Sequence, residues 1–253
     1  MPQEKLNILL NDPDLVAVEK PAGLAAIPGR GETDSVLERI AAQLGLPHKG
    51  ETDPRVRVVH RLDKETSGVM LFAKNIETQR HLSHQFQNNQ VEKEYLALVA
   101  GHPDSAEGEI DGSIGPHPNA RTRMAVLKHG RPAFTRWKLE KRFRELSLLR
   151  VFPKTGKTHQ IRVHLKHIGL PLAIDALYNP PRKPGEPAGI FLSQFKRNYR
   201  PADRDERPLI ARLTLHAERI TFDHPKSGKT TIVAPLPKDF RVALAQLERH
   251  GGR

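Results

Sequence analysis

The sequence predicts an α+β fold with a mixed, mainly antiparallel central sheet and flanking helices. Short apolar runs rich in branched residues, such as 15–18 and 95–100, have the length and composition of buried strands. Runs with helical spacing lie among them without the regular strand–helix–strand order of a parallel α/β protein. With 253 residues, the chain is long enough to form a single domain with a substantial core, which we expect to cover residues 1–253.

The order of the elements can be predicted from apolar spacing and from the residues that begin and end helices. We expect a strand at 15–18, a helix capped by Thr33 and Asp34, strands at 56–59 and 69–72, and a helix capped by Asn75. Further strands are expected at 95–100, 146–152, 212–222 and 230–233, with helices near 159–168 and 238–249. Residues 180–208 contain six prolines and are expected to form a surface insertion, held in the middle by Ile190, Phe191, Leu192 and Phe195.

Charge and composition restrict the classes of protein to which the chain can belong. Lys and Arg number 41 against 29 Asp and Glu, a net charge of +12 that is typical of a nucleic-acid-binding protein. The absence of cysteine excludes disulfide scaffolds, cysteine-ligated metal centres and thiol nucleophiles. Neither a secretory signal nor an apolar run of the ~20 residues needed to span a membrane is present, so we expect a cytoplasmic protein without membrane contact.

The most informative stretch is the polar loop 60–68 between two predicted buried strands. It places Asp63 beside a basic residue, two hydroxyls and a glycine, and catalytic groups concentrate on loops that a rigid scaffold holds. A turn or helix cap is the structural alternative for Asp63. Arg61 in the same loop and Arg162 in the cluster 156–165 favour catalysis instead. A buried carboxylate paired with arginine stays ionised, as a nucleophile or base requires.

The sequence His60-Arg61-Leu62-Asp63, followed by Thr66-Ser67-Gly68, resembles the signature of the RluA family of RNA pseudouridine synthases. Stretches 17–24, 91–95 and 159–165 resemble three further motifs of that family in the same order, and the resemblance extends roughly from residue 6 to 240. The chain departs from the pattern at Ile174, where the family usually has a glycine before the aspartate at Asp175. We expect a compact form of the family that lacks an N-terminal S4-type RNA-binding module.

The resemblance implies a pseudouridine synthase-like fold with a catalytic cleft across the sheet, and an isomerase that converts uridine in RNA to pseudouridine without a cofactor. By resemblance, Asp63 is the essential catalytic aspartate. It either attacks the sugar or removes a sugar proton to give a glycal, and the sequence leaves both roles open. Tyr95 would stack on the base and could help to remove the proton from carbon 5, and Arg162 would pair with the aspartate. An ordinary strand aromatic and a surface arginine are the respective alternatives.

The expected partner is structured RNA, either ribosomal or transfer RNA, bound by a monomer. A target base inside folded RNA must be flipped out, which costs a few kcal/mol. By resemblance, Arg61 enters the gap that the flipped base leaves, since a guanidinium both stacks and donates hydrogen bonds. We also expect RNA contacts from His60 and from Lys20 and Lys74, which follow predicted strands.

Two other functions are weighed against this one. A non-catalytic RNA-binding protein would account for the charge, but the combination of Asp63, Tyr95 and Arg162 favours an enzyme. A metal-dependent hydrolase is the third possibility. The histidine pairs 81/84 and 164/167 do not form the His-Glu-x-x-His zinc motif, so we expect no metal site. The two Gly-Lys-Thr sequences at 156–158 and 228–230 lack the earlier glycine of a phosphate-binding loop, which argues against nucleotide hydrolysis.

Overall fold

The computed structural model describes residues 4–29, 34–50, 53–120, 122–180, 188–196, 199 and 206–252. Within these residues the chain forms twelve strands and four α-helices. The fold is α+β with a large mixed, mainly antiparallel sheet, and the predicted fold class is confirmed. Over the same residues, none of the helices combines the length and the apolar character needed to span a membrane.

The bounds of the elements are as follows. The strands are β1 (Asn7–Asn11), β2 (Leu15–Lys20), β3 (Arg57–Val58), β4 (Ser67–Ala73), β5 (Glu92–Ala100), β6 (Glu107–Asp111), β7 (Ile114–Pro116), β8 (Met124–Val126), β9 (Phe134–Arg142), β10 (Leu146–Pro153), β11 (Leu215–His224) and β12 (Gly228–Val233). The helices are α1 (Val36–Leu44), α2 (Ile76–Gln87), α3 (Gln160–His167) and α4 (Lys238–His250), and a short 3-10 helix covers Leu192–Gln194.

The chain divides into two compact units. The first unit comprises the described residues of Met1–Glu94 and His216–Pro235, and the second those of Tyr95–Leu215 and Leu236–Arg253. A single catalytic domain over the whole chain stays a prediction. Most of the predicted insertion 180–208 lies outside the described residues, but Ile190 and Phe195 are buried in a core cluster of the second unit.

In the first unit the strands are ordered β1-β2-β4-β11, with β3 beside β4 and β12 beside β11. The pairs are antiparallel except β4 with β11, which is parallel. Along β2, Val16 and Val18 pack in the cluster that contains α1, whereas Leu15 and Ala17 pack in the cluster that contains α2. Both faces of β2 are therefore covered, which explains why its sequence is a continuous apolar run.

In the second unit the strands are ordered β5-β10-β9-β6, all antiparallel, and β7 pairs with β8 in a separate two-stranded sheet. Ala97 and Val99 of β5 pack in the cluster that contains α3. Leu98, between them, packs in the cluster that contains α4. Since successive residues of a strand point to opposite faces, α3 and α4 cover opposite sides of this sheet.

Several predicted boundaries are wrong for local reasons. Helix α1 is capped by Ser35, whose Oγ accepts from the N–H of Glu38 at 3.2 Å, and not by Thr33 and Asp34; Thr33 lies outside the described residues. The strand expected at 56–59 is reduced to the two residues of β3. Strand β1 was not predicted, because its edge position leaves a pattern of partly buried residues that lacks a clear period.

Candidate active site

Asp63 lies in the loop that joins β3 to β4 in the first unit. Its side chain is partly exposed, and Arg61 and Lys64 on either side are exposed. The loop is fixed from within, because Leu62 and Thr66 are only 6% and 2% exposed and the N–H of Thr66 donates to the carbonyl of Asp63 at 3.1 Å. The structure therefore places a carboxylate on a short, ordered turn between strands, as the sequence predicts.

His60 ties the start of this loop to the sheet. Its Nε2 accepts from the backbone N–H of Leu71 at 2.9 Å, and its ring stacks on Phe86 of α2 with 4.6 Å between ring centroids. Burial, reinforced by the charge of Lys93, lowers the pKa of His60 to about 3. The imidazole is therefore neutral at physiological pH and has a structural role; the predicted RNA contact of His60 stays a prediction.

Lys20 also holds this loop in place, through hydrogen bonds to backbone carbonyls. Its Nζ donates to the carbonyls of Lys64 at 2.7 Å and Pro21 at 2.8 Å, and the Lys64 carbonyl also accepts from the N–H of Gly23 at 2.9 Å. The side chain of Lys20 is 0% exposed, which gives it a structural role in the loop; its predicted contact with the RNA backbone stays a prediction. The sequence suggested a surface lysine because its position after an apolar run does not show that the turn folds over it.

At the end of the loop, β4 begins with a close approach to β11. The parallel pairing places Ser67 opposite His216 and Gly68 opposite Ala217. A Cβ on Gly68, whose φ is +127°, would lie 2.2 Å from the Ala217 carbonyl oxygen, so only glycine fits. The buried Ser67 Oγ lies 3.0 Å from Nδ1 of the buried His216, whose Nε2 is 3.2 Å from the carbonyl of Ala234.

The other two predicted RNA contacts of the first unit differ in exposure. Arg61 is exposed, and its predicted insertion into RNA stays a prediction. Lys74 is only partly exposed, and its Nζ donates to Asn11 Oδ1 at 2.5 Å and to the carbonyl of Asp12. Burial lowers the pKa of Lys74, against the opposing effect of two nearby aspartates. This amine joins the turn between β1 and β2 to β4, which the sequence did not indicate.

Tyr95 lies on β5 in the second unit, opposite Val151 of β10. It is partly buried and packs against the cluster that contains Ile161 and Leu165 of α3. Its ring is therefore supported by the face of the sheet that α3 covers, and the position fits an aromatic platform as well as an ordinary core residue. Its predicted role in stacking on the base stays a prediction.

Arg162 lies on α3, and its side chain is 5% exposed. Its Nε and Nη2 donate to Oδ2 and Oδ1 of Asp175, each at 2.8 Å, which is a bidentate ion pair. The side chain of Asp175 is 0% exposed. Arg162 is thus a buried, paired cation, and the surface arginine considered as the alternative from sequence is wrong.

A tyrosine completes this cluster. The guanidinium carbon of Arg162 lies 5.0 Å from the centroid of the Tyr178 ring, within the range of a cation–π contact. The Tyr178 hydroxyl accepts from the N–H of Met124 at 2.8 Å and lies 2.9 Å from Nδ1 of His159. Tyr178 is 5% exposed and is held at both its ring and its hydroxyl.

The helix that carries Arg162 is itself joined to the sheet by buried polar side chains. Gln160 donates through Nε2 to the carbonyl of Phe134 and to Thr135 Oγ1, both at 3.0 Å. His164 is 3.0 Å from Thr135 Oγ1 through Nδ1 and 2.9 Å from the carbonyl of Gly112 through Nε2. Burial lowers the pKa of His164, and both of its ring nitrogens lie within hydrogen-bond distance of protein groups, as in a core histidine. The position of Arg162 is therefore set by a rigid helix.

Sequence reasoning missed Asp175 and Tyr178 as members of the site. Asp175 Oδ1 accepts from the N–H groups of Leu177 at 2.9 Å and Tyr178 at 3.1 Å, so a short turn brings the carboxylate and the ring together. The available signal was the aspartate followed by a tyrosine three residues later, since aspartate commonly accepts from the N–H groups that follow it. Ile174, where the family usually has glycine, is buried in the core cluster beside α4.

Within the described residues, one group of side chains has the spacing of metal ligands: Asp12, Asp14 and His224. These groups already bind one another or nearby donors. Asp12 accepts from the N–H of Leu15 at 2.9 Å and lies 3.0 Å from His224 Nε2, while Asp14 pairs with Lys226 at 3.2 Å. These groups form a hydrogen-bonded turn, and the expected absence of a metal site stays a prediction.

Comparison with known proteins settles the family of the chain. The sequence profile described as "RNA pseudouridylate synthase" matches residues 14–167, more than half of the chain. The chain belongs to this family. The matched segment contains Asp63, Tyr95 and Arg162. The family assignment made from the four ordered motifs is confirmed.

Relatives named "Ribosomal large subunit pseudouridine synthase D" are similar over nearly the whole chain. The protein of Nitrosomonas europaea is 38% identical over 94% of this chain and 64% of its own length. Those of Haemophilus ducreyi and Escherichia coli K12 are 38% and 36% identical, over 96% and 97% of this chain and 71% and 72% of their own lengths. The chain thus spans about two thirds to three quarters of these relatives.

Two solved human structures share the fold. "RNA Pseudouridylate Synthase Domain Containing 4" has a TM-score of 0.68 and 25% identity, covering 96% of this chain and 93% of that one. "RNA Pseudouridylate Synthase Domain Containing 1" has a TM-score of 0.68 and 23% identity, covering 94% and 86%. These likenesses confirm the pseudouridine synthase-like fold class.

Proposed function

We propose that this chain isomerises uridine to pseudouridine in the RNA of the large ribosomal subunit. The observation that carries the proposal is the loop with Asp63, which matches the family motif and is held by Lys20, His60 and the close approach at Gly68. Ribosomal RNA is proposed as the substrate because the bacterial relatives, which are similar over almost the full chain, are named large-subunit ribosomal pseudouridine synthases. A positive charge of +12 suits a polyanionic substrate.

The proposed roles follow the resemblance residue by residue. Asp63 begins the reaction at the sugar, either as a nucleophile or as the base that removes a sugar proton, and the bond between C1′ and N1 of the uracil breaks. The base rotates, a bond forms between C1′ and C5, and the C5 proton is lost while N1 gains one. Tyr95 stacks on the base and assists removal of the C5 proton, and Arg162 stabilises the ionised aspartate. Arg61 occupies the gap left by the flipped base.

The expected setting of this activity is the cytoplasm, with the protein acting as a monomer on structured RNA. Ribosomal RNA as the substrate supports the cytoplasm. The monomer is proposed because a compact unit with its core covered on both sheet faces does not require a partner subunit to bury apolar surface. Light scattering of the purified chain should give a mass near 28.4 kDa, and twice that mass would contradict the monomer.

The test uses in vitro transcripts of large-subunit ribosomal RNA and of transfer RNA that carry tritium at C5 of uridine. Formation of the C5–C1′ bond releases that tritium to water, so the release counts turnovers directly. We expect release from the ribosomal transcript, and sequencing of the product should place pseudouridine at a small number of positions. Release from transfer RNA alone would contradict the proposed substrate, and release from neither RNA would contradict the proposed reaction.

A further inference from the structure

Arg162 and Asp175 form a buried ion pair whose purpose the proposed chemistry does not by itself explain. Asp175 lies 13 residues beyond Arg162, in the turn that follows α3, and both side chains are almost fully buried. Removing two charges from water costs several kcal/mol per ion, so a buried pair contributes little net stability and is often replaceable by apolar residues. A pair in this position therefore calls for a role other than stability.

The geometry of the pair fixes the plane and the direction of the guanidinium. Asp175 accepts from both Nε and Nη2 at 2.8 Å, so the planar guanidinium cannot rotate about the Cδ–Nε bond without breaking one of these hydrogen bonds. The ring of Tyr178, 5.0 Å from the guanidinium carbon, supports the flat face of the group. Since the edge formed by Nε and Nη2 faces Asp175, the direction of Nη1 is set as well.

Asp175 is in turn a fixed group. Its Oδ1 accepts from the backbone N–H groups of Leu177 and Tyr178 in addition to Arg162, and its carboxylate is fully buried. The Tyr178 hydroxyl is held by the N–H of Met124 and lies within hydrogen-bond distance of His159, which precedes α3. Helix α3, the turn at Asp175 and strand β8 thus contribute to the network around one guanidinium, and these residues all belong to the second unit.

We propose that Asp175 is a positioning residue for Arg162, holding its guanidinium in the one orientation in which it acts on the catalytic aspartate. The inference rests on the proposed function, because it assumes the role given to Arg162 there. Catalysis depends steeply on orientation, and a displacement of about 1 Å can cost about 100-fold in rate. Asp175 touches neither substrate nor reacting atoms in this account and acts only through Arg162.

The central variant is Asp175→Asn. The amide keeps one oxygen for the backbone N–H groups, but its –NH2 group faces an N–H of Arg162, so one of the two bonds is replaced by an unfavourable contact of two donors. We expect the single-turnover rate of tritium release to fall about 100-fold, while the dissociation constant for the ribosomal transcript stays within about threefold. A rate within about threefold of the parent would overturn the proposal.

The same unit offers a control pair of the same chemistry that is more exposed, with side-chain exposures of 17% and 37%. Arg212 and Asp239 form a second bidentate pair, with distances of 2.6 and 2.8 Å, and the guanidinium of Arg212 also lies over an aromatic ring, that of Phe240. Asp239→Asn makes the same chemical change in a pair to which no role in catalysis is assigned. It should leave the single-turnover rate within about threefold of the parent. An equal fall in both variants would show that Asp175 has only a structural role.

Two further measurements separate positioning from folding and from the proposed function. The variant Arg162→Lys cannot form the bidentate pair. When Asp175→Asn is added to Arg162→Lys, the rate should fall further by less than about threefold. If the two substitutions acted independently, their separate losses of rate would multiply. If Asp175→Asn does not fold by circular dichroism, Asp175→Glu, which retains the charge and moves the carboxylate, replaces it with the same expected fall in rate.

Nuclear magnetic resonance of the arginine Nε–H groups gives a readout that needs no activity. The Arg162 signal should be sharp and protected from exchange in the parent and lost in Asp175→Asn, while the Arg212 signal is unchanged. An unprotected Arg162 signal in the parent would overturn the proposal. Protection of Arg162 in a protein that releases no tritium would contradict the proposed function and leave the fixed orientation of the guanidinium established.

Discussion

At the scale of single residues, Lys20, His60 and Arg162 are each held by specific partners near the predicted catalytic residues. Lys20 is fully buried and donates to two carbonyls, and Arg162 is paired with Asp175. His60 is kept neutral by burial so that it can accept from the backbone of β4. These interactions pin the loop of Asp63 and the helix of Arg162 to the sheet without placing an unpaired charge in the core.

The lowered pKa of His60 gives a prediction about acid stability. Because its pKa of about 3 in the folded chain lies below the ordinary value of 6.5, the unfolded chain takes up the proton first as the pH falls. The contribution of His60 to stability is complete above pH 6.5 and is lost toward pH 3, with a slope of up to about 1.4 kcal/mol per pH unit. The free energy of unfolding, measured with urea at about pH 7 and about pH 5, should fall less between the two pH values for His60→Gln than for the parent.

The control for this prediction is His84→Gln, on the exposed side of α2. His84 takes part in none of the ring contacts found among the described residues, so His84→Gln should retain the loss of stability that His60 causes. A parent and a His60→Gln variant with the same loss of stability between the two pH values would contradict the structural role assigned to His60.

At the scale of elements, the close parallel approach of β4 and β11 controls how the loop of Asp63 enters the sheet. Gly68→Ala would place a Cβ 2.2 Å from the carbonyl oxygen of Ala217 and force a positive φ on alanine. We expect the free energy of unfolding to fall by about 3 kcal/mol or more, measured by urea unfolding. Gly156→Ala, where a Cβ meets nothing within 4 Å, should change it by less than about 1 kcal/mol. Equal stabilities for the two variants would refute the packing argument.

Most elements could be predicted from the sequence because their apolar periodicity is set by packing on helices. Helix α2 begins after Asn75, whose Oδ1 accepts from the N–H of Thr78 at 2.8 Å, as the sequence predicts. Edge strand β1 was missed because its residues are at most partly buried and because a register irregularity between Ile8 and Leu10 interrupts any alternation. The cap of α1 was misplaced because Thr33, Asp34 and Ser35 all favour caps, and only tertiary packing selects among them.

The candidate site was predictable to a smaller extent. The family motifs singled out Asp63, Tyr95 and Arg162, since each lies within a recognisable stretch. They did not disclose that Asp175 holds Arg162, because the partners of a side chain depend on how the turn after α3 folds back. The burial of Lys20 was missed for the same reason. Contacts between residues distant in sequence carry no local pattern.

At the scale of the whole molecule, the net charge of +12 predicts how RNA binding responds to salt. Lysines and arginines that contact phosphates release condensed counterions, so the logarithm of the binding constant falls linearly with the logarithm of the salt concentration. Filter binding of the ribosomal transcript should weaken by about 1,000-fold or more between ~50 and ~200 mM salt. A flat response would indicate that the positive charge serves another purpose.

Arg61→Ala should weaken binding in this assay, since this exposed arginine is proposed to contact the RNA.

The most direct test of the central claim is the rate of tritium release by Asp63→Asn on ribosomal RNA labelled at C5 of uridine. Asparagine keeps the size of the side chain and removes its charge, so we predict that release is abolished while the dissociation constant for RNA stays within about threefold. Glu65→Gln, an exposed carboxylate in the same loop, is the control and should release tritium at the parent rate. Release by Asp63→Asn at the parent rate would contradict the account.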